Sequence, residues 1–274
     1  MNASPEHTVS ISVRRSGGGA TRSLRTLAKR VPWVAPLVTL LILVILWEIW
    51  VRFSDVPQFL LPAPSAIWDA LVDNFGLLMR HAGVTLLETL IGFALSAVFG
   101  VLFAVVIVMW PLLGAAIFPL LVASQVIPKV AIAPLMVVWI GTGVTTASLI
   151  AFVMGFFPVV VNATLGMTSV QPASIDLMRS MGSSRWQLFR YLRFPNALPH
   201  IMSGLQLAVA FAIVGAIVGE FVGSDSGLGY LLIVTQGNLR TDLLFADLVV
   251  LTAIGLILYY GVELVGKVLL RNRN

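Results

Sequence analysis

The sequence predicts an all-α membrane protein with six transmembrane helices. Three observations carry that expectation. Of the 274 residues, 58% are hydrophobic and only 11% are charged, against about 25% charged in soluble domains. Several apolar runs reach the roughly 20 residues that cross a bilayer as a helix. Between them the chain shows none of the short strand alternation of an outer-membrane barrel. The net charge of +5 does not point to nucleic acid, because positive charge gathers on the cytoplasmic side of membrane proteins. With no cysteine there is neither a disulfide framework nor a thiolate metal site.

Residues 1–32 hold Gly17, Gly18 and Gly19 and six basic side chains, Arg14, Arg15, Arg22, Arg25, Lys29 and Arg30. They read as a disordered basic tail on anionic lipid. The apolar run that follows is too long for a signal peptide core and lacks a small-residue cleavage site, so it reads as an anchor. The transmembrane domain is expected over about 33–270, with a first span over about 33–52. Leu60-Leu61-Pro62-Ala63-Pro64-Ser65 then opens an amphipathic segment over about 65–79, with Asp69 and Asp73 on its polar face. A second span covers about 83–109 and stops at Trp110-Pro111. The third, about 113–140, contains Pro119, Pro128 and Pro134 and should be kinked or partly unwound. After Gly141-Thr142-Gly143 come a fourth span over about 146–167 and a polar island over 168–199. A fifth span, about 201–222, and a sixth, about 244–266, are separated by a loop containing Gly and Asp.

With both termini cytoplasmic, the cytoplasmic segments hold 13 of the 17 Lys and Arg. The external segments hold only Arg52, Arg80 and Arg240, and Lys129 lies inside a span. The asymmetry favours this topology over its inverse and puts the island in the cytoplasm.

The island reads as two short helices separated by a turn at Gly182, which accepts φ > 0, with Pro195 ending the second helix. Asp176, Gly182, Leu192, Phe194 and Pro195 stand at the spacings of a cytoplasmic loop found in membrane subunits of ABC importers: Glu-Ala-Ala, three residues, Gly, nine residues, Ile-x-Leu-Pro. Asp stands for Glu, Leu for Ile and Phe for Leu, while Leu177 and Met178 replace the alanine pair. The stretch from Glu220 to Leu231, the Leu61–Ser65 segment and the proline-rich run from Pro128 to Gly143 add three further matches. Over about 35–270 the chain thus resembles permeases of the sulfonate, nitrate and taurine importer family, which also includes pyrimidine-precursor and riboflavin types.

The resemblance implies the type I ABC importer permease fold in a bacterial inner membrane. It implies a second copy of the permease, two ATP-binding cassette subunits and an extracytoplasmic substrate-binding protein as partners. ATP and Mg would be used by the ATPase, with no cofactor bound by this chain. Asp176, Leu177, Met178, Gly182, Trp186, Arg190, Leu192 and Pro195 would form the coupling loop that seats in the ATPase. The substrate would be a small organic anion or a vitamin-like heterocycle.

Gln125, Lys129, Met136, Asn162, Glu88 and Glu220 are candidate pathway or gate residues, because charges and amides in a span face an interior, a partner or a water-filled cavity. Lys129 has three readings: a contact with an anionic or acceptor-rich substrate, a structural ion pair with Glu88 or Glu220, or a lysine reaching the interface because the span is broken there. Glu48 and Glu263 read as interfacial. A gradient-driven transporter or channel is the competing function, but these carboxylates are scattered over four spans without repeat symmetry. Gly215, Gly219 and Gly223 recur every fourth residue and permit close helix approach, within the chain or in a dimer. Gly261 to Lys267 imitates a phosphate-binding loop, yet Val268 replaces its Ser or Thr and no strand precedes it. His7, His81 and His200 show no metal-ligand spacing, and no nucleophile–base set can be assembled.

Overall fold

A computed structural model describes residues 34–54 and 56–271. The basic segment 1–32 and Arg273 lie outside them. The chain divides at Val56 into two units, and the described part of the first is one helix, α1 (Val34–Phe53). It is apolar all round, with Leu37, Leu40 and Leu41 exposed, as suits a helix whose solvent is lipid. At its end Arg52 Nε meets Glu48 Oε1 at 2.5 Å, one helical turn apart.

The second unit begins with α2 (Pro64–Asp73), which has Pro64 in its first turn, where a missing N–H costs nothing. Ile67 and Ala70 are buried, while Trp68, Asp69 and Asp73 are exposed. Asn74 interrupts the chain, so the amphipathic segment is ten residues long and ends short of 79. The helix carrying the second span, α3 (Phe75–Met109), already starts at Phe75 and runs 35 residues.

The third span is two helices. α4 (Pro111–Ser124) and a segment comprising a 3₁₀ turn (Lys129–Ile132) and α5 (Ala133–Ile140) meet at 88°. The cause is local. Pro128 has no N–H to give the preceding turn, and its ring drives Ile127 out of the helical region. Among the described residues five helices are long and apolar enough to cross a membrane, or six with this bent pair taken as one span.

α6 (Val144–Thr168) is the central element, packed along α9 (Phe194–Gly223) and α3. Small residues set the approach. A side chain at Gly215 would begin 2.6 Å from Ala151 Cα, and one at Gly219 would begin 2.5 Å from Ala147 Cα. Both stripes are small, so dispersion contacts form backbone to backbone. Across α3, Ser96 Oγ lies 2.9 Å from Phe152 O, and Phe103, Phe156 and Phe157 stack edge to face nearby.

Between the fifth and sixth spans, where the sequence reads as loop, a further helix forms: α10 (Leu228–Gly237). It buries Leu228, Gly229, Leu231 and Thr235, so its ten residues are stabilised by packing more than by propensity. The chain closes with α11 (Thr241–Arg271). Near its end Lys267 Nζ meets Glu263 Oε1 at 2.6 Å.

Candidate functional site: the polar island and the buried acids

The island folds into α7 (Pro172–Ser180) and α8 (Arg185–Leu188) around a turn at Gly182. Gly182 has φ +78°. Its N–H donates to Arg179 O at 2.9 Å, and that of Ser183 donates to Met178 O at 3.1 Å. These are the two bonds of a Schellman ending, which needs a left-handed residue where glycine alone is unstrained. The next helix begins with a capping box: Gln187 N–H donates to Ser184 Oγ at 3.2 Å, and Ser184 N–H to Gln187 Oε1 at 2.8 Å. The two short helices therefore satisfy their own ends at the turn between them.

Pro195 does not end the second helix. α8 passes through a π-helical turn (Phe189–Arg193) straight into α9, giving 39 helical residues from Arg185 to Gly223. A proline ring inside an α-helix collides with the carbonyl four residues back. The wider π-turn just before Pro195 relieves that crowding, so the helix continues where the sequence predicts a stop. The fifth span thus merges with the island.

One side of the island is anchored. Leu188 and Phe189 are buried, and Phe189 packs with Ala104, Val108, Met167 and Ile201. The other side is open and apolar: Leu177 is 62% exposed, Met181 76%, Trp186 57% and Tyr191 65%. Asp176, Arg179 and Arg190 are also exposed, and Met178 and Leu192 are half-buried. Leu177, at the first alanine position of the loop pattern, therefore projects outward and does not crowd the helix behind it.

The candidate pathway residues fall into separate places. Lys129 and Met136 share a small slot with Ile150 and Met154. Lys129 Nζ stands 4.8 Å from the centroid of the Phe157 ring, and among the described residues it has no carboxylate partner. The ion pair with Glu88 or Glu220 is therefore not formed; an aromatic face takes the ammonium instead. Gln125 is exposed at the bend after α4. Asn162 packs against Gly204 and donates its amide to Pro158 O at 2.8 Å within its own helix. Of the three spaced glycines, Gly215 and Gly219 face α6, and Gly223 faces Val137 and Thr142.

Glu88 and Glu220, on different spans, are brought into one buried region. They are 0% and 1% exposed, and Glu88 stands one helical turn from Thr85, whose Oγ1 bonds Glu220. Asp247 of α11, a helix packed on both α9 and α3, is also fully buried; sequence reasoning passed it over. Its signal was present: an acid inside the apolar run from Leu243 to Ile254, where a charge is costly. Thr85 Oγ1 donates to Glu220 Oε1 at 2.6 Å and accepts Leu228 N–H at 2.8 Å. Gly229 N–H donates to Glu220 Oε2 at 2.5 Å, and Gly227 N–H donates to His81 Nδ1 at 3.0 Å.

Comparison with known proteins places this architecture. Residues 96–272 match the binding-protein-dependent transport system inner membrane component family. A probable ABC transporter permease of Haemophilus influenzae is 36% identical over 83% of this chain and 93% of its own. A riboflavin transport system permease of Chloroflexus aurantiacus is 37% identical, over 85% of this chain and 88% of its own. A formylaminopyrimidine transport permease of Halalkalibacterium halodurans is 34% identical, over 86% and 94% respectively. The protein is a multi-pass transport component of the bacterial inner membrane, not a catalyst. It belongs to the family of binding-protein-dependent transport system inner membrane components, the permeases of ABC transporters.

Proposed function

We propose that this chain is the membrane-spanning subunit of an ATP-driven importer, with both termini cytoplasmic. Two copies form the translocation pathway, two ATP-binding cassette subunits dock on the 176–195 loop, and an external binding protein delivers the substrate. ATP and Mg are handled by the cassette subunits. The observation that carries this reading is the island itself. It is a self-capped pair of helices, anchored to the core through Phe189, that offers Leu177, Met181 and Trp186 to a partner. A free helix pair with that much open apolar surface needs a partner of matching shape. Closure of the partner dimer then favours one arrangement of the spans over another.

The substrate class we favour is a vitamin-like heterocycle over a sulfonate, taurine or nitrate. Two of the relatives are named for riboflavin and formylaminopyrimidine, and Lys129, which has no carboxylate partner among the described residues, is a cation available to the acceptor atoms of such a ring.

Co-expression with the cassette subunit tests the assembly. Gly182→Asp puts a side chain on a left-handed turn at about 1–2 kcal/mol and places a charge on the docking face. It should abolish co-purification and ATP-dependent uptake while the permease still inserts. Intact uptake after this change, or after deletion of 176–190, would sink the proposal. Uptake by the permease alone in liposomes, driven by a pH gradient and indifferent to ATP, would favour a secondary transporter.

A further inference from the structure

The transport reading makes no use of the three buried acids. Glu88 on α3, Glu220 near the end of α9 and Asp247 on α11 are each at most 1% exposed. Among the described residues no Lys or Arg pairs with any of them. Three unpaired negative charges in one interior would cost several kcal/mol per ion.

Their hydrogen bonds divide the roles. Glu220 accepts from Thr85 Oγ1 and from Gly229 N–H, the environment of an anion. Both oxygens of Glu88 are buried and receive no donor, and the same holds for both oxygens of Asp247. A carboxylate only accepts, so two carboxyl groups that meet can bond only when one of them carries a proton.

We propose that Glu88, Glu220 and Asp247 form a proton-binding site, with Glu88 holding a proton toward Glu220 and Asp247 holding a second. The proton on Glu88 bridges α3 to α9. Glu220 in turn holds the Gly227–Gly229 turn that starts α10, with Thr85 and His81 as the flanking latches. There is little room for another occupant on that flank: side chains at Gly227 or Gly229 would run into the Glu220 carboxyl. The other ionisable groups around the turn are His81, whose Nδ1 is already an acceptor and whose ring stacks on Tyr230 at 6.0 Å, Tyr230 itself, Arg80 next to His81 in the chain, and the exposed Asp225, whose Oδ1 accepts from Ser226 Oγ at 3.3 Å. Removing the bridging proton leaves Glu88 and Glu220 repelling one another across α3 and α9, which frees the turn.

The test is infrared spectroscopy of the full chain in lipid, in light and heavy water. The wild-type protein at neutral pH should show the carbonyl stretch of a protonated carboxylic acid, shifted by deuterium, with surface acids absent from that region. Glu88→Gln and Asp247→Asn, which mimic the neutral acids in shape, should each remove part of it. Hydrogen exchange across 224–230 in the wild type should rise as alkaline pH removes the band, and should lose that pH dependence in Glu88→Gln. A wild-type spectrum without the band overturns the proposal even if both variants fail to fold. A band undiminished in both variants, or exchange that ignores its loss, does so as well. None of these measurements requires the ATPase, so their failure is separable from failure of the transport reading.

Discussion

The bent α4–α5 pair is at least as apolar as the α3–α6–α9 trio, and the two are packed in opposite ways. In the trio, glycine and alanine bring the helix backbones together, and half of the most apolar stretch of α6 is buried. In the bent pair Gly114 and Ala133 are the buried residues, while Leu112 is 91% exposed, Val126 85% and Val138 78%. Apolar composition places both in the bilayer, but only small residues at the contact tell a helix where to sit against a neighbour. The trio carries its own fold. The pair depends on what surrounds it, lipid or a second subunit.

The most severe test of that difference is Gly219→Leu. The new side chain meets Ala147 backbone and cannot be accommodated by a rotamer change, so a loss of about 3 kcal/mol or more is expected, seen as a collapse of the thermal midpoint in detergent. Leu120→Ala on the pair should move the same midpoint by no more than about 0.5 kcal/mol. Equal losses would break the comparison. Next comes Thr85→Val, which keeps the shape but leaves Leu228 N–H without its acceptor and Glu220 Oε1 without its donor. It should cost about 1–3 kcal/mol and raise hydrogen exchange at 224–230 without touching the α6–α9 contact. An effect smaller than that of Thr85→Val belongs to Lys129 in the bent pair. Lys129→Met loses its contact with Phe157, about 0.5–1 kcal/mol; a fall in uptake far beyond that loss, with assembly intact, would mark Lys129 as a substrate contact.

Much of the framework was legible because bilayer thickness fixes the length of an apolar run. Gly182 was legible for a similar reason, since glycine after an amphipathic helix has a specific geometric use. What escaped depends on contacts between distant segments. Pro195 looks like a stop because its remedy, the π-turn at 189–193, has no sequence mark of its own. α10 looks like loop because its burial comes from the flanking α9 and α11 folding back on it and from the distant α3, contacts that its ten residues do not record. Glu88 and Glu220 read as separate pathway candidates and Asp247 went unremarked, since three residues on three helices share no spacing. Asn162 illustrates the converse: an amide in a span suggested a ligand, yet a carbonyl of its own helix satisfies it.

The wide turn before Pro195 also has a mechanical side. The rod from Arg185 to Gly223 is 39 residues, roughly 58 Å at the α-helical rise, and its compliant points, the π-turn and the prolines at 195 and 199, all lie near the island. Beyond Pro199 it is stiff. A displacement applied at Trp186 therefore acts on the short arm of a lever pivoting near the membrane surface. Under the proposed docking, the long arm would carry a small stroke at the island to its far end, where Glu220 sits, and deliver it there as tilt.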